Sequence, residues 1–152
     1  MFKKFIFFIL ILNFLQSCGF TPMYSNNKNI KINIENINLS GDWDLNNYIK
    51  RSLQRYSSKA ASKKYDITVA TTYTANTISR DSTGNITKYQ FIIEADFLVT
   101  SENFNKNYLF KENFIMENFD DELTKENYQK SNKDNLATII INKLMMQLSR
   151  LE

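Results

Sequence analysis

The sequence predicts an α+β fold, a two-layer sandwich in which a four-stranded mixed sheet is covered by two helices. Three observations predict it. Apolar residues recur every second position in four runs, they recur at helical spacing in two others, and these runs follow in the order strand, helix, strand, strand, strand, helix. A strand–helix–strand opening places the first strand parallel to a neighbour, whereas short connections make the later strands antiparallel. Two amphipathic helices should then cover one sheet face and leave the other bare.

Ile30, Ile32 and Ile34 alternate with Lys31, Asn33 and Glu35, a half-buried first strand that loses phase before Ile37 and Leu39. Ser40-Gly41-Asp42 ends it. Leu45, Ile49, Leu53 and Tyr56 then fall on one helical face, with Lys50, Arg51 and Arg55 toward the helix's negative end and Asp42 or Asp44 available to cap its start. Trp43, the only tryptophan, is expected to pack on the first turn rather than to act as a recognition anchor.

From Tyr65 the period is two, with Tyr65, Ile67, Val69, Thr71 and Tyr73 on one side of a second strand. Arg80-Asp81-Ser82-Thr83-Gly84-Asn85 supplies turn residues, and Tyr89, Phe91, Ile93, Ala95, Phe97 and Val99 alternate through the third strand, making a long hairpin. A loop at Glu102 to Asn107 leads to a fourth strand carrying Tyr108, Phe110, Phe114 and Met116, interrupted by Glu112. Phe119 to Asn135 is polar. A terminal helix is expected from about Ser131 to Leu151, its stripe formed by Leu136, Ile139, Ile140, Leu144, Leu148 and Leu151 and widened by Met145 and Met146.

Residues 1–17 read as a leader. Lys3 and Lys4 form a basic flank, Phe5 to Leu15 an apolar core well short of the ~20 residues that a spanning helix needs, and Leu15-Gln16-Ser17-Cys18 a closing motif with a small residue before the cysteine. That pattern is similar to a bacterial lipobox, which implies lipidation of Cys18 as the first mature residue. Cys18 is also the only cysteine, so no internal disulfide can form. Residues 18–29, polar and carrying Pro22, read as the lipidated N-terminus and a tether, and residues 30–152 as one domain. About eleven tether residues could reach some 30 to 40 Å if extended. Gly19 follows the cysteine in place of the aspartate that marks inner-membrane retention in enteric lipoproteins, so the expected address is the outer membrane.

Removal of Lys3 and Lys4 takes the 19 basic side chains to 17 against 16 acidic ones, a balance that offers no field for nucleic acid. Histidine is absent. With the one thiol committed to lipid, no His or Cys cluster for zinc and no Ser-His or Cys-His pair can be assembled, and dispersed carboxylates usually form solvated faces. The expectation is a non-enzyme without metal or cofactor. An auxiliary lipoprotein of another envelope complex, such as a lipid-transport ABC system or a secretion-pore pilotin, is the alternative reading, and a lipid-anchored hydrolase would need convergent carboxylates.

The start Cys18-Gly19-Phe20-Thr21-Pro22-Met23-Tyr24, the hairpin Arg80-Asp81-Ser82-Thr83-Gly84-Asn85-Ile86-Thr87-Lys88-Tyr89 and the element order together resemble the lipopolysaccharide-assembly lipoprotein family, LptE, in its alphaproteobacterial form. The resemblance implies a small sandwich held by acylated Cys18 to the periplasmic side of the outer membrane. It implies a partner too, the large LptD-like β-barrel that translocates lipopolysaccharide, which such a protein plugs and helps to assemble. It further implies lipopolysaccharide binding by basic residues near the hairpin tip and just before the last helix, here Arg80, Lys88 and Lys125. A lysine or arginine on an exposed loop can reach a lipid phosphate through a charge-assisted hydrogen bond. Asp81 and Glu126 stand beside two of these cations and dilute the basic patch.

Overall fold

A computed structural model describes residues 32–151; the leader, Cys18 and the tether lie outside them. The described chain runs β1 (Asn33–Gly41), α1 (Trp43–Tyr56), β2 (Lys64–Arg80), β3 (Ile86–Ser101), β4 (Phe104–Glu117) and α2 (Glu122–Leu148), with a closing 3-10 turn. The strands form one sheet in the order β1-β2-β3-β4. β1 runs parallel to β2, and the pairs β2–β3 and β3–β4 are antiparallel. The expected mixed sheet under two helices is the observed architecture.

β1 keeps both apolar pairs that the sequence leaves out of phase, because a bulge between Ile34 and Asn36 resets the alternation. Gly41 closes the strand at φ +99°, where a Cβ would lie 1.9 Å from the Thr71 carbonyl oxygen. Only glycine fits there. Asp42, rather than Asp44, caps α1 by accepting from the Leu45 N–H at 2.9 Å. The helix then runs back along β1, so that its last turn meets the chain at Ile32, whose N–H donates to the Tyr56 carbonyl.

The core lies between sheet and helices. Leu45, Ile49 and Leu53 of α1, Ile67 and Val69 of β2, Ile93, Phe97 and Val99 of β3, and Ile140, Leu144 and Leu148 of α2 are fully buried in one cluster. Tyr48 and Thr138 share a hydrogen bond across the two helices. The face bearing Thr68, Thr72 and Thr74 of β2 and Leu109 and Ile115 of β4 has no helix over it among the described residues, and these side chains are exposed.

Several boundaries differ from expectation. The loop given to Glu102–Asn107 shrinks to Glu102 and Asn103, since β4 begins at Phe104 with polar residues that satisfy the ladder as well as apolar ones do. The terminal helix starts at Glu122, not near Ser131. Asp121 caps it, accepting from the Thr124 N–H at 2.7 Å, and its first turns pack through polar side chains that an apolar stripe does not reveal. Within the stripe, Met145 is buried but Ile139 and Met146 are 38% and 40% exposed. Trp43 does not pack on its first turn; at 76% exposure it stands out from the surface. The Asp42 cap leaves position 43 pointing away from the sheet.

Candidate functional site

β2 and β3 continue well beyond the end of β1, which pairs with β2 only as far as Thr71. At about 3.3 Å per residue this hairpin spans more than 50 Å, and its outer end is where the basic residues fall. The tip is locally braced. One Asp81 carboxylate accepts from the Thr83 N–H, the Thr83 hydroxyl, the Asn85 N–H and the Asn85 side-chain amide, while Gly84 turns the chain at φ +92°. These bonds, the Thr83 hydroxyl first, hold the Asp81 pKa down to about 2.

Arg80 is exposed beside this turn and donates to the Gly84 carbonyl at 2.8 Å. Lys88, on β3, pairs with Glu117 of β4 at 3.4 Å and lies on the face opposite to Tyr89 and Phe91. Lys125 is not a loop residue. It sits in the first turns of α2, where its ammonium pairs with Glu122 at 3.2 Å and stands 5.4 Å from the centre of the Tyr89 ring. All three therefore reach the same end of the molecule, but Lys88 and Lys125 occupy opposite faces of the sheet, and each already has an anionic partner. They do not make one basic patch.

Behind Lys125 the same helix lays Gln129 and Lys133 on the hairpin. Gln129 donates to the Tyr73 hydroxyl at 2.7 Å, and the Lys133 ammonium lies 4.4 Å from the Tyr73 ring centre. Lys133 is nearly buried and is neutralised by Asp42 at 2.7 Å and Asp44 at 3.5 Å, so the carboxylate that caps α1 also anchors α2. Burial of Tyr73, chiefly, pushes its hydroxyl up to about 12. Nothing in the sequence pairs these residues, which are far apart along the chain. Asp121-Glu122, an N-cap followed by a first-turn acid, is the signal from which the earlier start of α2 could have been read.

Between the two helices runs an open groove of about 680 Å³, walled by Trp43, Lys50 and Arg51 of α1 and by Glu126, Lys130 and Asp134 of α2. Its charges are mixed. Lys50, Arg51 and Lys130 are exposed and without an ion pair among the described residues. Sequence reasoning weighed Lys50 and Arg51 only as helix-face residues and did not single out Lys130.

No family model matches the sequence, and no curated protein matches it. Solved structures do share the fold. A rare lipoprotein B from Shewanella oneidensis superposes with a TM-score of 0.57 at 15% identity, over 77% of this chain and 98% of that one. A lipoprotein B from Nitrosomonas europaea gives 0.55 at 12% identity, over 78% and 87% of the two chains. A structure from Caulobacter crescentus CB15 described as a lipoprotein gives 0.54 at 10% identity, over 84% and 96%. At such identities the likeness is one of fold.

Proposed function

We propose that this chain is an envelope lipoprotein of the LptE type, acylated at Cys18, held at the periplasmic side of the outer membrane, and acting as plug and assembly partner of a large LptD-like lipopolysaccharide translocon. The observation that carries the reading is the coincidence of a lipobox at Cys18 with a sandwich whose fold recurs, nearly end to end, in structures described as bacterial lipoproteins. Several acyl chains, at about 0.8 kcal/mol per buried methylene, hold a protein far more firmly than one. At the hairpin end Lys88 pairs with Glu117, Lys125 with Glu122 and Arg80 with the Gly84 carbonyl, contacts that suit a binding or scaffolding role.

Lipopolysaccharide contact is assigned to Arg80 and Lys125, with Lys88 left to its pairing with Glu117. Arg80 has donors to spare beyond the one given to Gly84, and a phosphate can displace exposed Glu122 from Lys125. The test is detergent extraction of the tagged full chain. A barrel of translocon size should co-purify, and mass spectrometry should find an acylated Cys18 at the mature N-terminus. Recovery without any barrel would defeat the reading. Arg80→Glu with Lys125→Gln should keep the barrel yet weaken retention on immobilised lipopolysaccharide, more at low salt than at physiological ionic strength, where the Debye length is ~8 Å. Equal retention of variant and wild type would leave the plug and assembly role alone.

A further inference from the structure

Charge is unevenly spread along the chain. Residues 45–65 hold six basic side chains, Lys50, Arg51, Arg55, Lys59, Lys63 and Lys64, and no acidic one, although the mature chain as a whole is almost balanced. All six are exposed. Lys64 pairs with Glu35 at 2.5 Å, whereas Lys50, Arg51, Arg55 and Lys59 have no ion pair among the described residues. The fold carries the run to one end of the molecule. α1 runs back along β1, so Arg55 in its last turn and Lys59 and Lys63 in the connection to β2 gather where β1 and β2 begin, at the pair Asn33–Lys64. Lys50 and Arg51 continue the basic surface one to two turns along α1.

The acidic groups at this end are few and mostly engaged. Glu35 is taken by Lys64, Asp66 accepts from the Asn36 amide on the helix-free face, and Glu102 stands near Lys64 in the turn between β3 and β4. At the hairpin end the balance is reversed, since Asp81, Glu117, Asp120, Asp121 and Glu122 outnumber Arg80, Lys88 and Lys125. The basic end is also where the chain arrives from Cys18. Ile32 donates its N–H to the Tyr56 carbonyl and accepts from the Ser58 N–H at 2.8 Å, next to Lys59. Cys18 stands fourteen residues earlier, so a lipid anchor there holds this end within about 50 Å of the bilayer. The hairpin tip is farther along the chain by the length of β2.

We propose that the basic end of α1 and the connection after it form a contact surface for the anionic phospholipid headgroups of the bilayer in which the chain is anchored. The inference rests on the acylated-Cys18 part of the proposed function. It needs one copy of the chain and leaves the acidic hairpin end to a barrel lumen. Charge selects the occupant, because none of the exposed large apolar side chains lies within residues 45–65 and the surface has nothing to insert into an acyl layer. Acyl chains joined to a basic patch make a two-signal attachment, and each Lys or Arg near an anionic surface adds to it. The patch also sets orientation. Acyl chains on a tether fix only distance, whereas a basic pole opposite an acidic one turns the entry end toward the headgroups.

The test uses the whole mature chain, residues 18–152, made without its leader so that Cys18 carries no lipid and retention reads charge alone. Vesicles of equimolar phosphatidylcholine and phosphatidylglycerol should co-sediment it at low salt, and vesicles of phosphatidylcholine should not. Added salt should release it, as the surface potential is screened within a Debye length. Lys50→Gln and Lys59→Gln, each with an unchanged circular dichroism spectrum, should lower the partition coefficient about fivefold apiece. Lys88→Gln, at the hairpin end, should leave it unchanged. Equal binding to both vesicles, no binding to either, an equal loss from Lys88→Gln, or retention on heparin without retention on vesicles would each overturn the proposal. Mass spectrometry of the exported protein separates this outcome from the anchor: an acylated Cys18 without a phosphatidylglycerol preference would remove the headgroup contact and leave the anchor standing.

Discussion

α2 packs on the same sheet twice, in two chemistries. Its second half, from Ala137 to Leu148, presses Ile140, Ile141, Leu144 and Leu148 into the cluster formed with α1 and the β1–β2–β3 rungs. Its first half lies over the hairpin through Lys125, Gln129 and Lys133, which meet Tyr89 and Tyr73. Beneath that polar seam Phe91 stacks between Tyr73 at 5.6 Å and Phe114 at 4.8 Å, a satellite cluster joined to the main core through Tyr73. Each large apolar side chain buried in the near half contributes about 1.5–3 kcal/mol, against about 0.5–1.5 kcal/mol net for a hydrogen bond in the far half. The far half should therefore open first, and the near half should set the global stability.

The largest break in that comparison comes from Ile140→Asp. Ile140 is fully buried in the hydrophobic cluster, and an unpaired carboxylate there costs several kcal/mol against a total of ~5–15 kcal/mol. Loss of the cooperative melt by circular dichroism is the expected result. A wild-type melt would mean that the near half does not hold the fold.

Asp42→Ala acts at the junction of the halves. It removes the α1 cap and leaves the nearly buried Lys133 ammonium with only Asp44 at 3.5 Å. The expected loss is about 3 kcal/mol by urea titration, toward the lower end for a broken buried pair because Asp44 remains. Lys133→Met should cost less, since it withdraws the charge together with its need for a partner. In hydrogen exchange, Asp42→Ala should quicken residues 122–133 more than 137–148. Uniform quickening would show that α2 responds as one unit.

The same division decides what could be read from the sequence. β2, β3 and the second half of α2 bury apolar side chains at periods of two and about 3.6, and these runs announce themselves. The first turns of α2 do not, because their inward face is Lys125, Gln129 and Lys133, whose partners on β2 and β3 are known only after folding. That gap moved Lys125 from an expected loop to a helix turn over Tyr89. Arg80 was legible because the turn residues beside it fix the tip, whereas the pairing of Lys88 with Glu117 depends on β3–β4 register. Trp43 failed for a related reason: the identity of the cap settles which way the next residue points, and two aspartates competed for that role.

The smallest predicted effect lies at the far end of the far half. Asp81 holds the hairpin tip through bonds that only its carboxylate can accept, and these draw its pKa from the ordinary 3.8 down to about 2. A depressed folded-state pKa means that the ionised form stabilises the tip; this contribution is complete above the unfolded value and is lost as pH falls from near 4 through about 2. Because the tip is exposed and its bonds are local, acid should release it without disturbing the near half. Nuclear magnetic resonance should show the Thr83 and Asn85 amides titrating together with a midpoint near 2, while the amides of Ile67 and Ile140 stay fixed over that step. A midpoint near the ordinary carboxylate value would mean that the Asp81 bonds do not brace the tip in solution. Concerted movement of the core amides would mean that the hairpin end and the core form a single cooperative unit, and the contrast between the two halves of α2 would fall with it.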